Sequence, residues 1–437
     1  LVAAELRDKA RDQTLAWDYV EELTTRFGPR PAGSASEKAA CEWAAAEFRR
    51  LGFDRVSLDS FPLTLWERGE ERVEIVAPFA QPLVATTLGG SPATPPEGIE
   101  AEAAVFETYQ ELLDVQPGGL AGKVAVVLQD TIRAQDGAGY GSSSRIRSEG
   151  PREAKARGAV AFLLRSLGTH EHRFAHTGAT RQADTVPSFA ISPPDAAQIA
   201  RVLRRGGPLR VKLLTRPTAV PSQSHNVIAD VVGREKPEEI VLIGAHIDSW
   251  DLGTGAIDDG AGCAIVTAAA KLMIDVGYRP RRTVRVVLFG SEEVSQPVAP
   301  FGLFGARHYA STRQAEWPNH VIASESDFGA RKVYALQLPA GHQSSDFQKR
   351  AMRLLTPLGV IFDGRPATSG GPDITPLVQG GVPAFRLNQD GSDYFDFHHT
   401  KDDVLERIDR EELKQNVAAW AALVWAIADS DVTFRAS

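Results

Sequence analysis

The chemistry in this 437-residue chain concentrates in a few short segments rich in histidine and carboxylates. His246 closes the apolar run 238–246, and the glycine-rich stretch "GTGAIDDGAG" carries Asp258 twelve residues later, with Asp259 beside it. Glu292 and Glu293 follow "VRVVLF", Glu325 and Asp327 follow "HVIA", and His398 and His399 stand in "FDFHHTKDD". Imidazoles and carboxylates without cysteine suit a hard-to-borderline divalent cation such as Zn²⁺. One metal takes three or four protein ligands, whereas five with a bridging carboxylate suit a pair of metals. Asp258 is the best bridge, because a glycine-rich loop lets the backbone bring its carboxylate over a strand end. Consecutive residues at a strand end point in opposite directions, so one of Glu292 and Glu293 can ligate while the other acts as general base on a water. Asp248 is placed to accept the second imidazole N–H of His246. Spacing alone does not choose between Glu325 and Asp327. Asp373 is expected either to hold a substrate terminus or to cap a helix.

Positioning such residues requires a sheet whose strands end on one rim. From Asn226 onward strands and helices alternate: strands at 238–246, 283–293, 320–327 and 381–389, and helices at 259–277, near 303–314 and at 409–430, the last capped by Asp409. That pattern predicts an α/β fold with a mostly parallel central sheet flanked by helices, and ligands in such folds bind beyond the carboxyl ends of the strands. Residues 3–27 and 36–52 read as two amphipathic helices, joined by "GPRPAGS", with Gly52 as a helix stop. "RVSLDSFPLTL" then alternates like a strand. Residues 66–218 differ in texture, with short strands, glycine-rich turns and one short helix at "PDAAQIARVLRRGG". They are expected to form an inserted β-rich domain, with 1–65 and 219–437 making the main domain. His170, His172 and His176 in that region read as a surface loop, because no carboxylate accompanies them.

Composition narrows the class. Hydrophobic residues are 43% and charged residues 24%, and the net charge is −8, so the chain is an ordinary globular one. Its basic residues are scattered, which argues against nucleic acid. No run is long enough for a membrane span. Cys41 and Cys263 sit in alanine-rich stretches and read as buried thiols, a bridge between them being the lesser reading. "GAGYGSS" lacks the Lys-Ser/Thr of a phosphate loop, and "GTGAID" lacks the third glycine of a dinucleotide loop. The chain has neither G-x-S-x-G nor H-E-x-x-H, which argues against serine hydrolases and thermolysin-type proteases. It starts at Leu1; a leader before that residue would make the protein secreted or periplasmic.

"HIDSWDLGTGAIDDGAG", "SEE", "ESD", "FDFHHTKDD", "GPRPAGS" and "GGPDITPLVQGGVPAF" together resemble the co-catalytic dizinc aminopeptidases, in particular their carboxypeptidase Q branch. The resemblance covers nearly the whole chain. It implies two Zn²⁺ per chain, one held by His246 and Asp327, the other by Glu293 and His399, with Asp258 bridging. It implies Glu292 as general base toward a hydroxide shared by the zincs, His398 as a transition-state hydrogen-bond donor, and a cis Asp258–Asp259 peptide. It makes residues 66–218 a protease-associated domain, makes the substrates dipeptides or short peptides with a free amino terminus, and allows a homodimer. The segment "VSQPVAPFGLFG" (294–305) is longer than in the mammalian forms, so side-chain preference does not carry over. Three rivals stand beside this reading: a one-zinc glutaminyl cyclase, an amidohydrolase on a non-peptide amide, and a metal-free binding homologue.

Overall fold

The structure is a computed structural model and describes residues 1–435. The chain opens with α1 (Val2–Lys9), α2 (Leu15–Phe27) and α3 (Ala35–Leu51), then β1 (Arg55–Glu67). The single helix expected over 3–27 is two, because the polar stretch around Asp12 and Gln13 breaks the apolar stripe before Thr14. Ser34 caps α3 by accepting from the Glu37 amide, and Gly52 ends it in the left-handed conformation at φ 90°.

Next come β2 (Glu71–Ala77), β3 (Gln81–Leu83), β4 (Ala85–Thr87), β5 (Ile99–Phe106), α4 (Tyr109–Leu113), β6 (Val124–Val127), α5 (Ala138–Ala156), β7 (Ala161–Arg165), β8 (Ser188–Ile191), α6 (Pro193–Arg204) and β9 (Arg210–Thr215). Their strands form an eight-stranded sheet ordered β3-β2-β9-β5-β6-β7-β8-β4. Each face has its own apolar cluster, one around Ile75, Val126 and Ile199, the other around Leu112, Ile146 and Phe162. This region holds three helices rather than the one expected. α5 escaped the reading because its first residues, Ala138–Ser144, have the composition of a turn.

The chain then runs through β10 (Thr218–Val231), β11 (Lys236–His246), α7 (Ala261–Asp275), β12 (Arg282–Phe289), α8 (Phe304–Thr312), β13 (His320–Glu325), β14 (Val333–Gln337), α9 (Asp346–Leu355), β15 (Ile361–Phe362), α10 (Thr375–Gln379), β16 (Arg386–Gln389), α11 (Tyr394–Phe397) and α12 (Arg410–Ala428). The central sheet is ordered β1-β10-β12-β11-β13, and a three-stranded sheet β15-β14-β16 extends beyond it through a bridge from Ala323 to Ala384. A mostly parallel sheet was expected, and the central sheet is mixed instead. β12-β11-β13 are parallel, but β1 and β10 form an antiparallel ribbon from Arg55↔Asp230 to Glu67↔Thr218, and β10 is antiparallel to β12. That ribbon carries the chain out to the eight-stranded sheet and back, which forces the two strands to run oppositely.

Both faces of the central sheet are covered. Val227, Ile243, Val286 and Ile322 join α1, α2, α3, α7 and α12 in the main core, while Ile228, Leu242 and Val287 pack with α8 and α10. The alternation along each strand sends neighbours to opposite faces. Among the described residues no helix is long and apolar enough to cross a membrane. Cys41 and Cys263 are both buried and free.

Candidate metal centre and active site

The parallel strands β12, β11 and β13 end on one rim, and the candidate residues gather there. His246 is the last residue of β11; Glu292 and Glu293 follow β12, and Asp327 follows β13. Asp258 comes from the turn before α7, and its peptide to Asp259 is cis. His399 follows α11 at φ 58°, a left-handed backbone uncommon for a histidine and typical of functional sites. Gly262 is obligatory behind this turn, since a Cβ there would lie 2.2 Å from Asp259 Oδ1 and 2.0 Å from the Ser326 carbonyl.

Asp258 is central to the geometry. Its Oδ1 is 3.0 Å from His246 Nε2, which is itself 3.3 Å from Asp327 Oδ1. Its Oδ2 is 3.2 Å from His399 Nε2, which is 2.9 Å from Glu293 Oε2. The two oxygens thus face two separate donor groups. Glu292 offers a carboxylate oxygen within 4.8 Å of ligand atoms of His246 and Glu293. Both ring tautomers are set by backbone: His246 Nδ1–H donates to the Asp248 carbonyl at 2.9 Å, and His399 Nδ1–H to the Thr177 carbonyl at 3.1 Å. Each Nε2 is left facing the carboxylates, the arrangement metal-ligating histidines use.

The electrostatics call for cations. All these groups are buried or nearly so, and among the described residues no lysine or arginine forms an ion pair with Asp258, Glu292, Glu293 or Asp327. Asp258 Oδ2 and Glu293 Oε1 are buried without a hydrogen-bond partner. Burial, with Asp258 and Glu292 close by, pushes Glu293 well above the usual carboxylate range; burial does the same to Asp327, with Asp258 and Glu325 adding to it. His246 is raised against the effect of its burial by Asp327, Asp248 and Asp258. Uncompensated buried carboxylates of this density are costly, and oxygen and imidazole donors converging on two small spaces fit a pair of divalent ions.

A ring of further residues holds the centre in place. Arg30, from "GPRPAGS", is fully buried and donates to the carbonyls of Gly28, Ile247, Thr254 and Gly255. It thereby ties the loop after β11 to the loop before α3. Trp250 donates to Glu293 Oε2 at 2.7 Å, and a Cβ on Gly89 would lie 2.1 Å from its ring, so the eight-stranded sheet meets the site backbone to indole. Asp251 pairs with Arg68 at 2.6 Å. Asp403 accepts from the Ile257 amide at 2.7 Å, and burial with Asp258 nearby pushes it up to about 8.

Four expectations are corrected by the geometry. β12 ends at Phe289, so Glu292 and Glu293 lie in a loop after Ser291 (φ 58°) and do not point apart; both reach the space beside His246. Asp248 serves His246 through its carbonyl, while its carboxylate accepts the Glu292 and Glu293 amides at 3.1 Å each, fixing the loop that carries them. Asp373 is only 1% exposed and turned to Glu325, which accepts its amide at 2.9 Å, so it neither caps a helix nor lines an open cleft. His170 and His176 are no surface residues: both are buried, and His176 puts Nε2 at 3.2 Å from His398 Nδ1 and 3.4 Å from the Tyr140 hydroxyl. His398 stacks on His399 with centroids 3.5 Å apart and puts Nε2 at 3.3 Å from Asp258 Oδ2. His398 and His176 are both held low by burial, and each by the imidazoles beside it.

Comparison with known proteins is consistent with this picture. Residues 226–424 match the model of Peptidase family M28. Carboxypeptidase Q of Mus musculus is 32% identical over 425 residues, covering 96% of this chain and 87% of that protein. The crystal structure of a peptidase M28 precursor from Shewanella amazonensis SB2B is 45% identical, with a TM-score of 0.95 over 100% of this chain and 98% of that one. BSAP, a zinc aminopeptidase from Bacillus subtilis, shares the fold at 21% identity, with a TM-score of 0.69 over 96% of each chain. With a relative 32% identical over 96% of this chain and a matching family model over the strands that carry the rim, the chain belongs to peptidase family M28.

Proposed function

We propose that the chain is a metallo-exopeptidase carrying two zinc ions, and that it hydrolyses dipeptides or short peptides with a free amino terminus. The observation that carries this reading is Asp258, whose two oxygens face His246 on one side and His399 on the other. His246 and Asp327 would hold one ion, Glu293 and His399 the other, and Asp258 both. Bound zinc supplies Lewis acidity, lowering the pKa of a water and polarising the scissile carbonyl.

The remaining work falls to side chains. Glu292 takes the proton of the attacking water and returns it to the leaving amine. Burial raises its pKa, with Asp248 and Asp258 adding to the effect against His246 and Arg181, so it is a stronger base than an exposed glutamate. His398, held by His176, offers an N–H to the carbonyl oxygen as charge develops there. Asp248 keeps Glu292 and Glu293 aimed through their amides. Residues 66–218 act as an inserted protease-associated domain that roofs the cleft, with His176 and Thr177 reaching in from it.

The test is amine release by zinc-loaded protein from an unblocked dipeptide and its N-acetylated twin. The expected result is cleavage of the free form alone. Cleavage of the acetylated form would replace the reading with carboxypeptidase or amidase action, and cleavage of neither would overturn it.

A further inference from the structure

Beside the metal centre, on the Asp327 side, lies a small pocket of about 30 Å³ lined by Asp327, Phe328, Tyr334, Gly371, Arg386 and Asn388. It continues outward into a recess that Tyr334, Arg386 and Asn388 also line, with Thr368 and Ser369. Arg386 opens β16 and sits across from Gln337 of β14. Arg386 is half-buried, and burial lowers its pKa against the opposing effect of Asp327 and Glu325. Among the described residues no carboxylate oxygen lies within 4.0 Å of its guanidinium. Arginines that are buried elsewhere have partners: Arg30 four carbonyls, Arg68 Asp251, Arg147 the Ala179 carbonyl and the Tyr140 hydroxyl, Arg165 Asp130 and Arg282 Glu239, and the half-buried Arg285 pairs with Asp230. A guanidinium desolvated without a counter-ion is costly, and its planar fork matches a carboxylate in bidentate fashion.

We propose that Arg386 is a specificity-determining residue that binds a carboxylate of the substrate, held in the pocket next to Asp327 while the scissile bond lies at the metal centre. The proposal rests on the peptidase reading above. That carboxylate has two sources, an acidic side chain or the free terminal carboxylate of a dipeptide. Tyr334 and Asn388, whose side chains make no hydrogen bond to the described residues, supply neutral donors beside the guanidinium.

The experiment compares kcat/KM ratios in the zinc-loaded full chain. One pair is Glu-Ala against Gln-Ala, the other Ala-Ala against Ala-Ala amide. Wild-type protein should prefer the carboxylate member of one pair by at least tenfold, and Arg386→Gln should bring that ratio to near one. The pair that collapses names the source. Because each ratio is taken within one protein, a purely structural effect of the substitution cancels. Wild-type ratios near one, or ratios unmoved by Arg386→Gln, would overturn the proposal. Arg386→Lys, which keeps the charge and loses the fork, should give an intermediate ratio and serves if the glutamine variant does not fold. If the protein cleaves no peptide, the peptidase reading fails, and calorimetry with two pairs, glutamate against glutamine and alanine against alaninamide, still decides the role of Arg386. Tenfold tighter binding of the carboxylate-rich member of either pair that Arg386→Gln abolishes would support it, and equal binding within both pairs would refute it.

Discussion

Glu292 is the residue on which the proposed chemistry turns. Glu292→Gln preserves shape and removes the base, so turnover should fall by about 10²–10⁴ while zinc content stays unchanged by elemental analysis. A variant with near wild-type rate would end that role. A second residue-scale prediction concerns His320, far from the metal centre. Tyr309 donates to its Nε2 and its Nδ1–H donates to the Glu316 carbonyl, and burial lowers its pKa to about 4. Unfolded histidine titrates near 6.5, so between those values the unfolded chain binds the extra proton. The contribution of His320 is full above about pH 6.5 and is lost as pH falls toward 4, amounting to about 3 kcal/mol at the acid end. Urea midpoints of wild type and His320→Gln should converge across that window; parallel curves would refute the assignment. Legibility in the sequence was high where spacing is short: His246, Asp258 and the glutamate pair announce themselves within a few residues of strand ends. It failed for atoms and for distance. Asp248 was legible as the partner of His246, but not that its carbonyl would accept at 2.9 Å while its carboxylate stands 3.5 Å from the same nitrogen. His176 was misplaced because its partner His398 lies 222 residues away, and no local spacing encodes that.

At the scale of elements, loops rather than strands aim the site. Arg30 binds four carbonyls across two loops, a task the sequence hinted at only through the punctuation of "GPRPAGS". Arg30→Ala should strand those acceptors and lower stability by on the order of 3 kcal/mol, read from urea unfolding. A loss below about 0.5 kcal/mol would mean that water replaces the guanidinium. The helix–strand alternation after Asn226 was readable because buried parallel strands are continuous apolar runs. The antiparallel partner of β1 was not, since strand direction depends on a residue pairing that closes over more than a hundred residues of intervening chain. α5 was hidden by its own glycines and serines, which become helical because Ile146 and Ala154 have a core to enter.

The whole molecule depends on joining two sheets at one rim. Zinc should stabilise the folded chain by about 2.7 kcal/mol at a hundred times its Kd for a single site. Asp258→Asn should forfeit most of the rise in melting temperature on metal add-back after chelation; an undiminished rise would contradict a shared ligand. Arg68 bonds Asp251 next to Trp250 and also donates to Thr86, so it ties the eight-stranded sheet to the loop after β11. On the proposed roofing of the cleft, Arg68→Ala should raise tetrapeptide hydrolysis several-fold relative to dipeptide; an unchanged length preference would refute roofing. The ribbon of β1 and β10 also has a consequence in time. β1 is finished at Glu67, but its partner is complete only at Val231. A ribosome adding about 5–20 residues per second needs roughly 8 to 30 seconds to bridge that gap. For that interval the first strand of the nascent chain has an open edge, and the segment folding between the two halves determines how long a chaperone has something to hold.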